Sequence, residues 1–319
     1  MAQPVELLDP KNDYVFKRLF ASAPQLLGEL ISAVRVGEPA VQVLEVLNPS
    51  ILPEELTGKH IELDVLARDT TGQLFNVEVQ VQRFPRWSAR SAFYLSRLLA
   101  TQLGTGQHYT ELKPAVGVHL LNFDLFEGHP SPLWHFELRD RHHPTVRLGD
   151  ELQLHVVELR KADRAMRRGQ GALPHPALAA WVAFLEHWKE AGTMSDVQYA
   201  PVQEAMKRLE QLSLSQEERF RALARERALL DEATLRWEAT EGKAQARREG
   251  VAEGQAEGRV EGRSRAKAET LTRLLTHRFG ALPDWAEPLI ASASEAQLDA
   301  WLDGIFEAQS VRGLIAPGE

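Results

Sequence analysis

Asp64, Glu78 and Gln80 are the residues of this chain whose types and spacing point to chemistry. Glu78 and Gln80 lie two apart in "GQLFNVEVQVQ" (72–82), and Asp64 lies in "HIELDVLARD" (60–69). Both stretches read as β-strands, and "DTTG" (69–72) supplies a turn that makes them a hairpin. Side chains two apart on a strand share a face, so Glu78 and Gln80 point the same way and pairing can bring Asp64 beside them. Two carboxylates and an amide oxygen form a hard oxygen set that suits magnesium or manganese. With a phosphodiester oxygen and waters completing the shell, such an ion generates a hydroxide nucleophile. The plainer reading is a solvated strand face, since Gln82 and Glu62 continue the alternation. Val77, Val79 and Val81 pin the opposite face to a core, which leaves only acids and amides on this one.

The next segment adds positive charge. Arg83, Arg86, Arg90, Tyr94 and Arg97 follow spacings of three, four, four and three, which sets most of them on one helix face, opposite a leucine stripe. Such a row can position a nucleic-acid backbone by charge and bidentate hydrogen bonds; an ordinary polar helix face is the competing reading. Position 80, where many metal nucleases place a lysine, is glutamine, which cannot carry charge. Lys17 and Lys59 are the nearest candidates for a substitute cation.

The elements that must hold these residues form a mixed α/β pattern. A helix is predicted from about Asp13 to Val34, bent or divided at Pro24. Strands follow at 41–48, 60–69 and 74–82, then a helix over 87–103 whose apolar stripe is Phe93, Leu95, Leu98, Leu99 and Leu103, ended by Gly104 and Gly106. The apolar run 114–123 reads as a buried strand, with further strands at 133–139 and 152–159 and helices over 177–236. From Glu249 a Glu-Gly pair recurs every four residues to Gly262. Each glycine costs a helix about 1 kcal/mol against alanine, so this is a solvated, weak helix or a flexible tether. Its glycines also permit close approach of helices in an oligomer, but its charges exclude a membrane span. The last fifty or so residues read as a small helical module, with Ser294 and Gln297 as a capping box, that needs a partner or self-association for stability.

The 319 residues include no cysteine, which excludes disulfides, thiolate metal sites and cysteine nucleophiles. No apolar run is long enough for a signal peptide or a span, so a cytoplasmic protein is expected. Thirty-seven basic and 45 acidic residues, net −8, argue against a broad basic surface but permit a local one. The histidines, His119 among them, are too scattered for a metal site and read as structural or exposed.

"DYVFKRLF" (13–20), "IELDVLARD" (61–69), "FNVEVQVQ" (75–82) and "ARSAFYLSRLLATQLGTGQHYTELKPAVGVHLLNF" (89–123) resemble the PD-(D/E)XK nuclease family transposases, or recombination-promoting nucleases. The resemblance implies a restriction-endonuclease-like fold and divalent-metal DNA cleavage, with an E-x-Q form of the usual E-x-K motif. It maps the catalytic residues to Asp64, Glu78 and Gln80, and the metal ligands to Asp64 and Glu78 with help from Asp13. Phe16 and Lys17 complete the opening motif, while Tyr94, Gly106 and Tyr109 match the later helix and its exit. The tail, through its repeat and "LLTHRFGALP" (274–283), resembles a small domain often fused to such proteins.

The expected protein is therefore an α/β nuclease-like domain (1–210), a charged helical spacer (211–264) and a small all-helical domain (265–319). It is expected to hydrolyse DNA with Mg2+ or Mn2+ at low sequence specificity, since no base-reading element is evident, in a role linked to recombination or mobile elements. Lys17, Arg83, Arg86, Arg90, Tyr94 and Arg97 are expected to contact the nucleic acid, and the helical tail to form a homo-oligomer with no membrane partner. The rival is a catalytically inactive nuclease-fold scaffold for nucleic-acid binding or assembly. A glycosidase would need acids facing across a cleft, which adjacent hairpin acids do not suggest.

Overall fold

The computed structural model describes residues 6–48, 65–169 and 173–316. The chain divides into two compact units, Met1–Glu232 and Ala233–Glu319.

The first unit is built on a six-stranded sheet of order β1-β2-β3-β4-β6-β5. Its strands are β1 Val43–Val46, β2 Val65–Asp69, β3 Leu74–Gln80, β4 Ala115–Leu121, β5 Leu133–Glu137 and β6 Leu152–Glu158. The hairpin is present: β2 and β3 pair antiparallel, with Val65 opposite Val77. Its turn is held by Asp69, whose Oδ1 accepts from the Thr71 and Gln73 amides and the Thr71 hydroxyl at 2.8–2.9 Å. Gly72 supplies the φ of +90° that the turn requires. β3, β4 and β6 run parallel, β1 and β5 are antiparallel to their neighbours, and helices cover both faces. This is the mixed sheet of a restriction-endonuclease-like core.

Alternation along β3 divides its side chains between two environments. Phe75, Val77 and Val79 enter the main core with Val116, Val118 and Leu120 of β4. That core is completed by α1 (Asp13–Ala21), α2 (Pro24–Val34), α4 (Leu159–Arg167), α5 (Pro176–His187) and α7 (Ala200–Leu214). Asn12 caps α1 by accepting from the Tyr14 and Val15 amides. Pro24 divides the predicted long helix by starting α2 in its first turn, where its missing N–H costs nothing. Aromatic rings lock the layers, with Phe16 4.6 Å from Phe20 and Phe20 5.6 Å from Trp181 between centroids.

The opposite face of β3 and β4 carries Asn76, Glu78, Gln80, Gly117 and His119, and α3 (Trp87–Ala100) lies over it with Trp87, Ser91 and Leu95 buried. A Cβ on Gly117 would stand 2.9 Å from Leu154 Cδ1 and 3.3 Å from both Leu95 Cδ2 and His119 Nε2, so glycine here permits close packing. The apolar cluster on this side is small, centred on Trp87, Leu121 and Val156. Phe93, expected in the buried stripe, is instead exposed, because the face that α3 turns inward is 87-91-95.

After α6 (Ala191–Asp196) and α7, a single helix, α8, runs Gln216–Phe279 through the whole Glu-Gly repeat. Nothing lies within 4 Å of where Cβ atoms would be on Gly250, Gly254, Gly258 and Gly262. The second unit has its own core, in which Leu271 and Leu275 of α8 pack with Ile290 of α9 (Ala286–Ala291), Leu298 of α10 (Glu295–Gly304) and Val311 and Ile315 of α11 (Val311–Ile315). The predicted capping box is formed: Ser294 Oγ accepts from the Gln297 amide, and Gln297 Oε1 accepts from the Ser294 amide at 2.9 Å. Among the described residues no helix is long and apolar enough to cross a membrane.

Candidate active site

Glu78 and Gln80 share one face of the last half of β3, as their spacing requires, and α3 closes over them. Gln80 is buried, and its Oε1 accepts from Trp87 Nε1 at 2.7 Å. That bond fixes the amide: its carbonyl is engaged, and its N–H groups are the edge available to a further acceptor. Glu78 is half-buried. In the parallel β3–β4 register it stands opposite His119, whose Nδ1 is 3.7 Å from Glu78 Oε2.

His119 is enclosed, with Trp87 edge-on at 5.4 Å between ring centroids. Burial, reinforced by the charge of Arg90, lowers its pKa from 6.5 to about 4, so the imidazole is neutral near pH 7. Its buried Nδ1 has no hydrogen-bond partner among the described residues. These side chains surround a cavity of about 10 Å³, lined by Asn76, Glu78 and Gln80 from β3, by Trp87, Arg90, Ser91 and Tyr94 from α3, and by His119 from β4. That is room for about one water or one small ion.

Residues 10–239 match the family described as PD-(D/E)XK nuclease family transposase. The chain belongs to that family. Comparisons with curated proteins and with solved structures each found no match.

The PD-(D/E)XK assignment makes the placement of the expected site residues informative. Asp64 and Lys59 lie outside the described residues. Asp13 does not line the Glu78 cavity: its carboxylate is held by Arg225, with Nε at 2.9 Å and Nη2 at 2.6 Å. Lys17 is 1% exposed and belongs to the interior, since α1 turns that position against the sheet; it presents no surface for a phosphate. The arginine row is split rather than continuous. Arg83, paired with Glu127 at 2.7 Å, and Arg86 and Arg97 are exposed, whereas Arg90 and Tyr94 turn toward Glu78. The cause is helical phase: 90 and 94 flank the buried 87-91-95 stripe instead of opposing it. Arg86, just ahead of α3, has a left-handed backbone with φ of 57°, an uncommon conformation for a side chain of this size.

His119, Trp87 and Asn76 were not expected at the site. Asn76 was legible, being two residues before Glu78 on the same strand. His119 was not, because only the β3–β4 register brings it to Glu78.

Members of this nuclease family generally use a divalent metal. Among the described residues no group of three or more His, Asp or Glu converges. The described residues bring one carboxylate, that of Glu78, to a cavity with room for a single small ion, and a carboxylate oxygen is the kind of donor Mg2+ or Mn2+ takes.

Proposed function

We propose that the protein is a divalent-metal-dependent DNA endonuclease of low sequence specificity, with Mg2+ or Mn2+ as its ion and a role linked to recombination or mobile elements. The observation that carries this reading is the Glu78–Gln80 pair on one face of β3, set beside His119 in a chain that belongs to the PD-(D/E)XK family. Asp64 and Glu78 would hold the ion, which when bound polarises the phosphodiester and makes water acidic enough to supply hydroxide. Gln80, oriented by Trp87, donates its amide N–H to the attacking water. Neutral His119 offers Glu78 no competing positive charge. The exposed Arg83, Arg86 and Arg97 position the duplex backbone.

The first 210 residues act as the nuclease-like domain, 211–264 as the spacer, and 265–319 as a small helical domain that self-associates. Exposed Leu289 and Phe306 in that domain support association there.

Supercoiled-plasmid nicking with Mg2+ or Mn2+, with a chelated control, tests the activity. Cleavage is expected from the wild type and not from Glu78→Ala. The second reading, an inactive scaffold that binds nucleic acid or assembles, draws on the closed cavity and on the charge of Arg90 within it. It predicts DNA binding with no cleavage of DNA or RNA in either metal.

A further inference from the structure

Position 80 carries no charge, yet the cavity beside it contains one. α3 turns Trp87, Arg90, Ser91 and Tyr94, one face of a helix, toward Glu78 and Gln80. In a space of about 10 Å³ each lining group is close to the same point. The Arg90 charge is felt at His119, where it joins burial in disfavouring the imidazolium. Two rings hold the guanidinium: Cζ is 4.9 Å from the Phe84 centroid and 5.5 Å from that of Tyr94, which is favourable cation–π spacing. Arg90 is half-buried, unlike Arg83, Arg86 and Arg97.

We propose that Arg90 is a catalytic residue, supplying from α3 the positive charge that Gln80 cannot supply from β3. This rests on the nuclease reading. As the water oxygen bonds to phosphorus and the bond to the leaving oxygen breaks, negative charge builds on the non-bridging oxygens. Arg90 binds that charge through its planar N–H fork. A guanidinium stays protonated, so it exchanges no proton in the step. The proton of the attacking water goes to bulk solvent, and the leaving oxygen takes one from solvent. The same charge opposes a metal ion at Glu78, which makes its effect on metal affinity opposite in sign to its effect on rate.

The test uses the full chain as wild type, Arg90→Ala, Arg90→Lys, Gln80→Lys and the double variant Gln80→Lys/Arg90→Ala. Single-turnover plasmid nicking is measured beside duplex affinity, Mn2+ affinity by calorimetry and thermal unfolding. Arg90→Ala should slow nicking by about 100-fold, leave duplex affinity little changed and tighten Mn2+ binding. Arg90→Lys should keep part of the rate. Moving the charge to the strand, in the double variant, should restore about tenfold or more over Arg90→Ala. The inference is overturned if Arg90→Ala nicks like the wild type, if its loss is matched by weaker duplex binding, or if it weakens Mn2+ binding together with folding. In each of those cases an active wild type leaves the nuclease reading standing. A wild type that cleaves neither DNA nor RNA removes both.

Discussion

The two faces of β3 differ in what they are for, although they share a backbone. One face sends Phe75, Val77 and Val79 into a core of some three dozen buried apolar residues; the other sends Asn76, Glu78 and Gln80 under a single helix with a core centred on three. Alternation lets one strand serve stability on one side and hold polar groups in a desolvated place on the other. The large core offsets the cost of burying an amide, a carboxylate and an imidazole together. Mutations on the two faces should therefore separate into those that unfold the protein and those that silence it.

The largest effect is expected in the apolar face. Phe75→Ala should cost about 3–5 kcal/mol in urea denaturation, against a change within about 1 kcal/mol for Glu78→Gln. Equal losses would erase the distinction between the faces.

Asp13→Ala should come next, at about 3 kcal/mol, because it leaves Arg225, 7% exposed in its side chain, without its carboxylate. Metal affinity should be unaffected; a loss of Mn2+ binding in a folded Asp13→Asn variant would return that residue to the metal site. Trp87→Phe removes the N–H that Gln80 Oε1 accepts and should cost about 1–3 kcal/mol. Its nicking rate should fall beyond what stability explains, since Gln80 loses its orientation.

A pH dependence is expected on the core side. Burial first, then the neighbouring His135 and Arg35, lower the His155 pKa from 6.5 to about 3. As pH falls through 6.5 the unfolded chain takes up a proton that the folded chain refuses. This contribution is complete above about 6.5 and is lost toward about 3. His155→Gln should flatten that part of a stability–pH curve measured by denaturant titration.

Much of this architecture was legible. Pro24 dividing the first helices, the 69–72 turn and the Ser294 capping box all act through local chemistry, and local chemistry is written in consecutive residues. The Glu-Gly segment was harder. Its isolated glycines oppose a helix, while the Ala, Glu, Gln and Arg between them favour one, and α8 follows the majority. Phe93 misled because a helix pattern gives the period of burial, not the phase that tertiary packing selects.

By itself the sequence determined that Glu78 and Gln80 face the same way, since strand pleating makes that a consequence of spacing. It determined too that glutamine, not a cation, occupies position 80. Only the tertiary structure decided what meets them. The parallel register sets His119 against Glu78, and the phase of α3 turns Trp87 and Arg90 inward. Both are settled by how whole surfaces pack, as the close approach at Gly117 shows, and no short window of sequence contains that information.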